Sequence, residues 1–406
     1  MVEIAGIGGS GCSGETVAME DLLERVRELA CGRRLLEVAA GTGGVHLVGG
    51  AVRDLLLGRV PRELDVVVEG DVAALAAALG AGATTHERFG TATVRRDDCR
   101  WDLAAARAED YAHPGALPDV RPAPIEDDLR RRDVTVNAIA LDLGSGELRA
   151  VDHALEDLAA GRLRVLHDAS FRDDPTRLWR VARYAARLGF EPEPHTAGLA
   201  AAAVAGGAAE AVSGARIGNE LRLALGEPDP IAALEQAARL GLARWLEPDR
   251  ERAAAALDLL AGEGRADLVV LAAALAESGD DADQRLAGLS FSAAERAVLR
   301  AAARASEIAA AARAARLPSQ RARVLRNLPV EAAALAGATG AAEPVRRWLR
   351  DLRHVALAID GDDLLAAGVP RGPEIGRRLS ATLDRRLDGE LDDDRAAQLE
   401  AALRNS

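Results

Sequence analysis

Apolar positions along the chain change their period near Ala169. Before it, from about Asp21 to Leu148, the short runs VHLVGG, ELDVVVEG, TATVRR and RWDLAAA are apolar or alternate and predict strands. The segments around Val52 to Leu57 and Asp71 to Leu79 instead repeat at helical spacing. Strands and helices so interleaved predict an α/β region. After Ala169 the chain is rich in Ala, Leu and Arg, and its helix-like segments are broken at Gly and Pro, as in GEPDP and RLPSQ. That part is expected to be all helical, with no internal repeat. Residues 1–17 are glycine-rich and read as a flexible leader. No apolar run of about 18 residues lacks a charge, which excludes a spanning helix, and the first residues lack the basic start of a secretion signal. A cytoplasmic protein is the expectation.

A length of 406 residues suits two to four domains. The three cysteines, Cys12, Cys31 and Cys99, are an odd number without CxxC spacing, so they are expected as packing or surface thiols rather than a disulfide framework or zinc site. Every basic side chain is arginine, since the chain contains no lysine. A net charge of −13 argues at first sight against nucleic acid, which is bound by clustered positive charge. Distribution changes that picture. Between Arg304 and Arg353 there are ten arginines against four acids, densest in RRWLRDLRH, and this is either a solvated helix face or a phosphate-binding patch.

The segment HLVGGAVRDLLLGRVPRELDVVVEG, His46 to Gly70, carries features a core strand does not need. A strand running into Gly49 and Gly50 and then a helix forms either a tight turn or a place where backbone approaches an anion, with Arg53 one turn on. Glu63 and Asp65, two apart on a strand, project from one face. They are either open-face polar residues or oxygen ligands for a hard divalent cation. Asp102 in RWDLAAA is a third candidate, with an exposed strand position as the alternative. The stretch GSGCSGET, Gly9 to Thr16, has phosphate-loop spacing but carries Glu15 where lysine belongs, and no apolar strand precedes it. It reads as a decoy.

Taken together, LVGGAVRDLLLGR with ELD, RRDVTVNAIALD (Arg131 to Asp142) and DDPTRLWRVARYAARLGF (Asp173 to Phe190) resemble the class II CCA-adding tRNA nucleotidyltransferases and bacterial poly(A) polymerases of the polymerase beta superfamily. The resemblance runs from about His46 to Phe190, and IDGDDLLAAGVPRGPEIG resembles the tail region of that family. It implies an α+β fold: a nucleotidyltransferase head with a small mixed sheet at 18–165, then an all-helical neck at 166–225, body at 226–330 and tRNA-binding tail at 331–406. One position departs from the pattern, since the family usually carries aspartate where this chain has Glu63.

The resemblance also implies roles. Glu63 and Asp65 would bind Mg2+, with Asp102 as a third carboxylate, and two metals would activate an RNA 3′ hydroxyl and neutralise leaving pyrophosphate. Gly49, Gly50 and Arg53 would hold the triphosphate, and Arg132 and Asp133 would contact nucleotide, with Asn137 as support. CTP and ATP each present an amino donor beside a ring-nitrogen acceptor, so Asp174 and Arg177, three apart on a helix, match C and A without a template. Asp174 before Pro175 is also a common helix start. Arg177, Arg180, Arg183 and Arg187 recur at helical spacing, and the resemblance gives the first three to nucleotide binding. The family's flexible loop falls at about Glu109 to Val120, which disfavours CC-only addition. Arg346, Arg347 and Arg350 are the candidate RNA contacts. The expected activity is addition of CCA to tRNA from CTP and ATP, with no protein partner implied. Poly(A) synthesis, A-only addition and a weakly catalytic RNA-binding protein are the alternatives.

Overall fold

The computed structural model describes residues 19–80, 82–86, 90–113, 115–116, 118–275 and 281–404. The glycine-rich leader and Gly9 to Thr16 lie outside them, as does Cys12. The chain divides into two compact units, one formed by residues up to Glu220 with Arg239–Leu242, the other by Leu221–Ala238 and Ala243 onward.

In the first unit the strands are β1 (Val45–Val48), β2 (Leu64–Val68), β3 (Ala83–His86), β4 (Thr91–Arg96), β5 (Cys99–Ala105), β6 (Arg107–Asp110), β7 (Asp119–Pro122), β8 (Ile139–Asp142), β9 (Leu148–Ala150) and the two-residue pair β10 (Arg162–Leu163) and β11 (Glu191–Pro192). The helices are α1 (Met19–Glu28), α2 (Gly32–Ala39), α3 (Gly50–Leu56), α4 (Val72–Leu79), α5 (Ile125–Arg130), α6 (Ala154–Ala160), α7 (Ser170–Asp173), α8 (Thr176–Leu188), α9 (Pro194–Ala205) and α10 (Gly214–Leu225), the last crossing the unit boundary. Seven strands form one mixed sheet in the order β3, β4, β5, β2, β1, β8, β9. Only the β2 and β5 pair in it is parallel. The apolar runs lie at its centre, where Leu47, Val66, Leu103 and Leu141 are buried. Strands β6 and β7 pair separately as a hairpin. Helix α4 starts where Asp71 accepts hydrogen bonds from the amides of Ala73 (2.8 Å) and Ala74 (3.1 Å), satisfying two otherwise orphaned donors.

The cysteines depart from the separate thiols that their spacing predicts. Cys31 and Cys99 form a disulfide, with Cα atoms 5.4 Å apart. They are 68 positions apart in sequence, and packing of the α2 start beside β5, where the Trp101 indole donates to the Cys31 carbonyl at 3.1 Å, brings them together.

After Ala169 every described element is helical apart from the two-residue strand Glu191–Pro192. In the second unit the helix Val330–Ala336 is the hub, packed against Arg250–Leu260, Ala266–Ala274, Ala293–Ala302, Ala305–Ala314 and Ala342–Arg350. Its residues Ala332 to Ala336 are all buried, and small side chains let several helices approach one axis. The helices Gly361–Ala366, Pro373–Leu387 and Arg395–Arg404 pack around Leu364, Val369 and Ala402. Among the described residues no helix is long and apolar enough to cross a membrane.

Candidate active site

Strand β2 alternates at its start: Leu64 is buried and Asp65 exposed, and Glu63 immediately precedes the strand on the exposed side. The parallel register sets Asp65 directly beside Asp102 of β5. Among the described residues neither Glu63 nor Asp65 has an ion-pair partner, whereas Asp102 accepts from Thr93 Oγ1 at 2.7 Å and pairs with Arg100 at 2.9 Å. The pKa of Asp65 is raised, first by burial of the carboxyl against the cleft wall and then by the charge of Glu63, with Asp102 adding to the effect and Arg132 opposing it. Its side chain nonetheless opens to solvent on the cleft side. Two crowded, unpaired carboxylates form a site that a cation relieves. Among the described residues no three His, Cys, Asp or Glu groups form a ready metal cage. A hard divalent cation can be held by one or two carboxylates, its shell completed by water and substrate phosphate. The residues present therefore fit such an ion at Glu63 and Asp65, with Asp102 beside them and committed to protein partners.

Gly49 sits at φ 65°, ψ −129°, a conformation essentially reserved for glycine, and a Cβ there would lie 2.8 Å from Arg132 Nη1. The backbone conformation requires the glycine, and a Cβ would also displace the Arg132 guanidinium. Arg53, on α3, is 2% exposed. Its Nε and Nη2 donate to Asp54 Oδ1 (2.9 and 2.7 Å), and its Nη1 donates to Asn137 Oδ1 (2.6 Å).

The RRDVTVN segment follows α5. Arg131 and Arg132 both reach back to the buried Asp128, at 2.6 and 2.8 Å. Asp133 is a four-way acceptor. Its Oδ1 takes the Val134 amide (2.9 Å) and Asn137 Nδ2 (3.2 Å), and its Oδ2 takes Arg180 Nε (2.6 Å) and the Tyr184 hydroxyl (2.9 Å). Burial alone would raise its pKa, but the Arg180 charge and these hydrogen bonds hold it well below the usual carboxylate range.

Helix α8 opens at Asp174, whose Oδ1 accepts from the Thr176 amide (3.0 Å), Thr176 Oγ1 (2.6 Å) and Arg216 Nη2 (2.9 Å). Arg177 donates to Ser170 Oγ (2.7 Å) and to the Arg131 carbonyl (2.8 Å), which leaves three of its five N–H groups. Arg183 pairs with Glu220 at 2.9 Å. One cleft of about 410 Å³ is bordered by Gly49, Gly50, Arg53, Glu63, Asp65, Arg132, Asp133, Asp174, Arg177, Arg180 and Arg183 together.

Residues 45–164 match the family described as the Poly A polymerase head domain. The chain is 35% identical over 395 residues to the A-adding tRNA nucleotidyltransferase of Geobacter sulfurreducens, covering 85% of this chain and 43% of that protein. It is 46% identical over 192 residues to the CC-adding tRNA nucleotidyltransferase of Deinococcus radiodurans, covering 45% of this chain and 50% of that protein. It superposes on the Thermotoga maritima CCA-adding enzyme complexed with tRNA with a TM-score of 0.74 and 25% identity, over 95% of this chain and 98% of that one. Over residues 45–164 and in its fold the chain is similar to the class II CCA-adding enzymes. It spans about half the length of the curated relatives it matches.

Several cleft residues were not singled out from the sequence. Glu109 accepts from Arg131 Nη1 (2.7 Å) and from the Tyr111 hydroxyl (3.1 Å), and both Glu109 and Tyr111 line the cleft from the β6–β7 segment. Burial, then the charge of Glu109, pushes the Tyr111 phenol up to about 12. Arg216 and Glu220, four apart on α10, meet Asp174 and Arg183. Their spacing puts both on one helix face, but only the fold reveals what that face meets. Tyr184 had a signal, since it follows Arg180 by one helical turn. Asp102 does not border the cleft.

Arg346, Arg347 and Arg350 belong to the second unit. They are exposed on the helix Ala342–Arg350, whose other face buries Val345, Trp348 and Leu349. Arg346 pairs with Asp258 (3.1 Å) and Arg350 with Asp351 (3.0 Å), while Arg347 has no ion pair among the described residues.

Proposed function

We propose that this chain completes the 3′ end of tRNA, adding CCA from CTP and ATP without a nucleic-acid template and releasing pyrophosphate. The observation that carries the reading is the presence in one cleft of the unpaired carboxylates Glu63 and Asp65 and the pair Asp174 and Arg177. Relatives named for tRNA nucleotide addition support it. Glu63 and Asp65 would hold a divalent cation, magnesium in this reading, whose chemistry is to ease deprotonation of a hydroxyl and to neutralise phosphate charge. Arg53 and Arg132 bind the triphosphate beside Gly49 and Gly50, where the missing side chains let it approach the backbone. Asp174 holds its Oδ1 for the helix start and Arg216, and its Oδ2 accepts from the amino group of C or A. Arg177 donates to the adjacent ring nitrogen. U and G present a carbonyl beside an N–H and meet the opposite pattern.

A-only addition is the second reading, because the relative matched over 85% of this chain is an A-adding enzyme. The deciding assay offers purified protein three tRNAs, one lacking CCA, one ending in C and one ending in CC, each with single nucleotides. CCA addition predicts that CTP extends the first two and ATP the third. Extension of the third alone establishes A-only addition, and unlimited ATP incorporation establishes poly(A) synthesis. No incorporation under any condition returns the chain to an RNA-binding role.

In the same reading the second unit supplies body and tail domains that hold the tRNA. Replacing Arg346, Arg347 and Arg350 with alanine should weaken tRNA binding a few-fold and flatten its salt dependence, by about 0.7 to 0.9 in logarithmic slope for each phosphate left without its arginine. The ion pairs of Arg346 and Arg350 make Arg347 the largest contributor. Filter binding across a salt series reads this, and an unaltered slope makes the patch a solvated helix face.

A further inference from the structure

Two cations of the cleft come from different elements, Arg53 from α3 and Arg180 from α8. Left alone, two neighbouring guanidinium groups repel each other. Tyr184 touches both. Its ring centroid lies 6.0 Å from Arg53 Cζ and 5.6 Å from Arg180 Cζ, within the range where a ring face attracts a cation. Its hydroxyl donates to Asp133 Oδ2 at 2.9 Å, the same oxygen that takes Arg180 Nε at 2.6 Å. The other oxygen of Asp133 takes Asn137 Nδ2, and Asn137 Oδ1 takes Arg53 Nη1. These bonds therefore close a ring of groups: Arg53, Asn137, Asp133 and Tyr184, with Arg180 joined to the last two. Asp133 receives four donors, which fills the acceptor capacity of a carboxylate, so it acts on a ligand through Arg180 rather than directly. Tyr184 is buried, and a leucine would fill much of its volume without offering a cation a face or Asp133 a donor.

We propose that Tyr184 is a positioning residue, a platform whose ring face fixes Arg53 and Arg180 as a paired cationic grip for the polyphosphate chain of a nucleoside triphosphate. This rests on the nucleotide-transfer reading above. The grip makes no contact with a base, so its loss affects CTP and ATP alike.

The probe is inorganic triphosphate, whose binding to the whole protein is measured by calorimetry alongside nucleotide kinetics. Tyr184→Leu should weaken triphosphate binding about tenfold, the effect of taking the ring face away from two cations. It should raise KM for CTP and ATP by a common factor with little change in kcat and no change in misincorporation ratio. Tyr184→Phe keeps the ring and should stay within about threefold of wild type. Wild-type affinity in Tyr184→Leu, or unequal effects on CTP and ATP, overturns the proposal. If Tyr184→Leu does not fold, Tyr184→Phe decides alone: a tenfold loss there puts the effect on the hydroxyl and removes the platform. Wild-type protein that binds triphosphate without incorporating nucleotide overturns the functional reading and leaves the platform standing. Wild-type protein that binds no triphosphate overturns the platform.

Discussion

Asp65→Ala should abolish nucleotide incorporation, by about a thousandfold or more, the scale seen when a group that stabilises transition-state charge is removed. Its effect on stability should run the other way. The carboxyl binds its proton more tightly in the folded protein than in the unfolded chain, because burial and Glu63 disfavour its charge. Ionised Asp65 therefore costs folding free energy. That cost is absent below the ordinary carboxylate range and grows as pH rises through it toward the raised value. At neutral pH the alanine variant should melt at the wild-type temperature or above it. A carboxylate kept for structure would give the reverse, with activity lost only as stability fell. Incorporation within tenfold of wild type would reject the metal-binding assignment. Glu63→Asp should remain active, since it restores the residue the family usually carries. A shorter side chain there also relaxes the crowding on Asp65, so its proton affinity should fall toward the ordinary range.

The central sheet was legible because its strands are apolar where they are buried. VHLV and LDVVV lie at the heart of the sheet, where burial on both faces demands apolar runs. The hairpin strands RAED and DVRP carry no such signal. Asp119 to Pro122 is exposed throughout, so pairing rather than burial makes it a strand. The disulfide was invisible for a related reason. Cysteine spacing reports local frameworks, and Cys31 and Cys99 meet through the packing of an N-terminal helix that no motif marks.

In the site the division is similar. Residues spaced within one strand or helix, such as Glu63 with Asp65 or Asp174 with Arg177, declare their common face by periodicity. Their partners across the fold do not. Glu220 meets Arg183 and Arg216 meets Asp174 over separations of 37 and 42 residues. No local rule joins an arginine on one helix to a chosen carboxylate on another. The sequence also left Asp174 with two roles: its Oδ1 carries the helix start and Arg216, and Oδ2, which receives no hydrogen bond among the described residues, is the acceptor our reading gives to the base.

That division sets up the sharpest test of protein-templated base choice. Asp174→Ala removes both oxygens. It should lower stability by about 1 kcal/mol for the lost cap, with a further loss from the unpaired Arg216, and relax discrimination against UTP and GTP by roughly five- to a hundredfold. Because two effects are mixed there, Asp174→Asn is the more informative change. An asparagine keeps a carbonyl oxygen, and the donors from Thr176 and Arg216 orient that oxygen toward themselves. The amide nitrogen then replaces Oδ2, turning the acceptor proposed to meet the base into a donor. Melting temperature should move little. Incorporation of UTP and GTP, whose carbonyls accept from such a donor, should rise relative to CTP and ATP. A residue that only capped the helix would make the same substitution nearly silent in both measurements. Misincorporation ratios and melting on the two variants therefore separate the roles, and unchanged ratios in both would confine Asp174 to the start of α8.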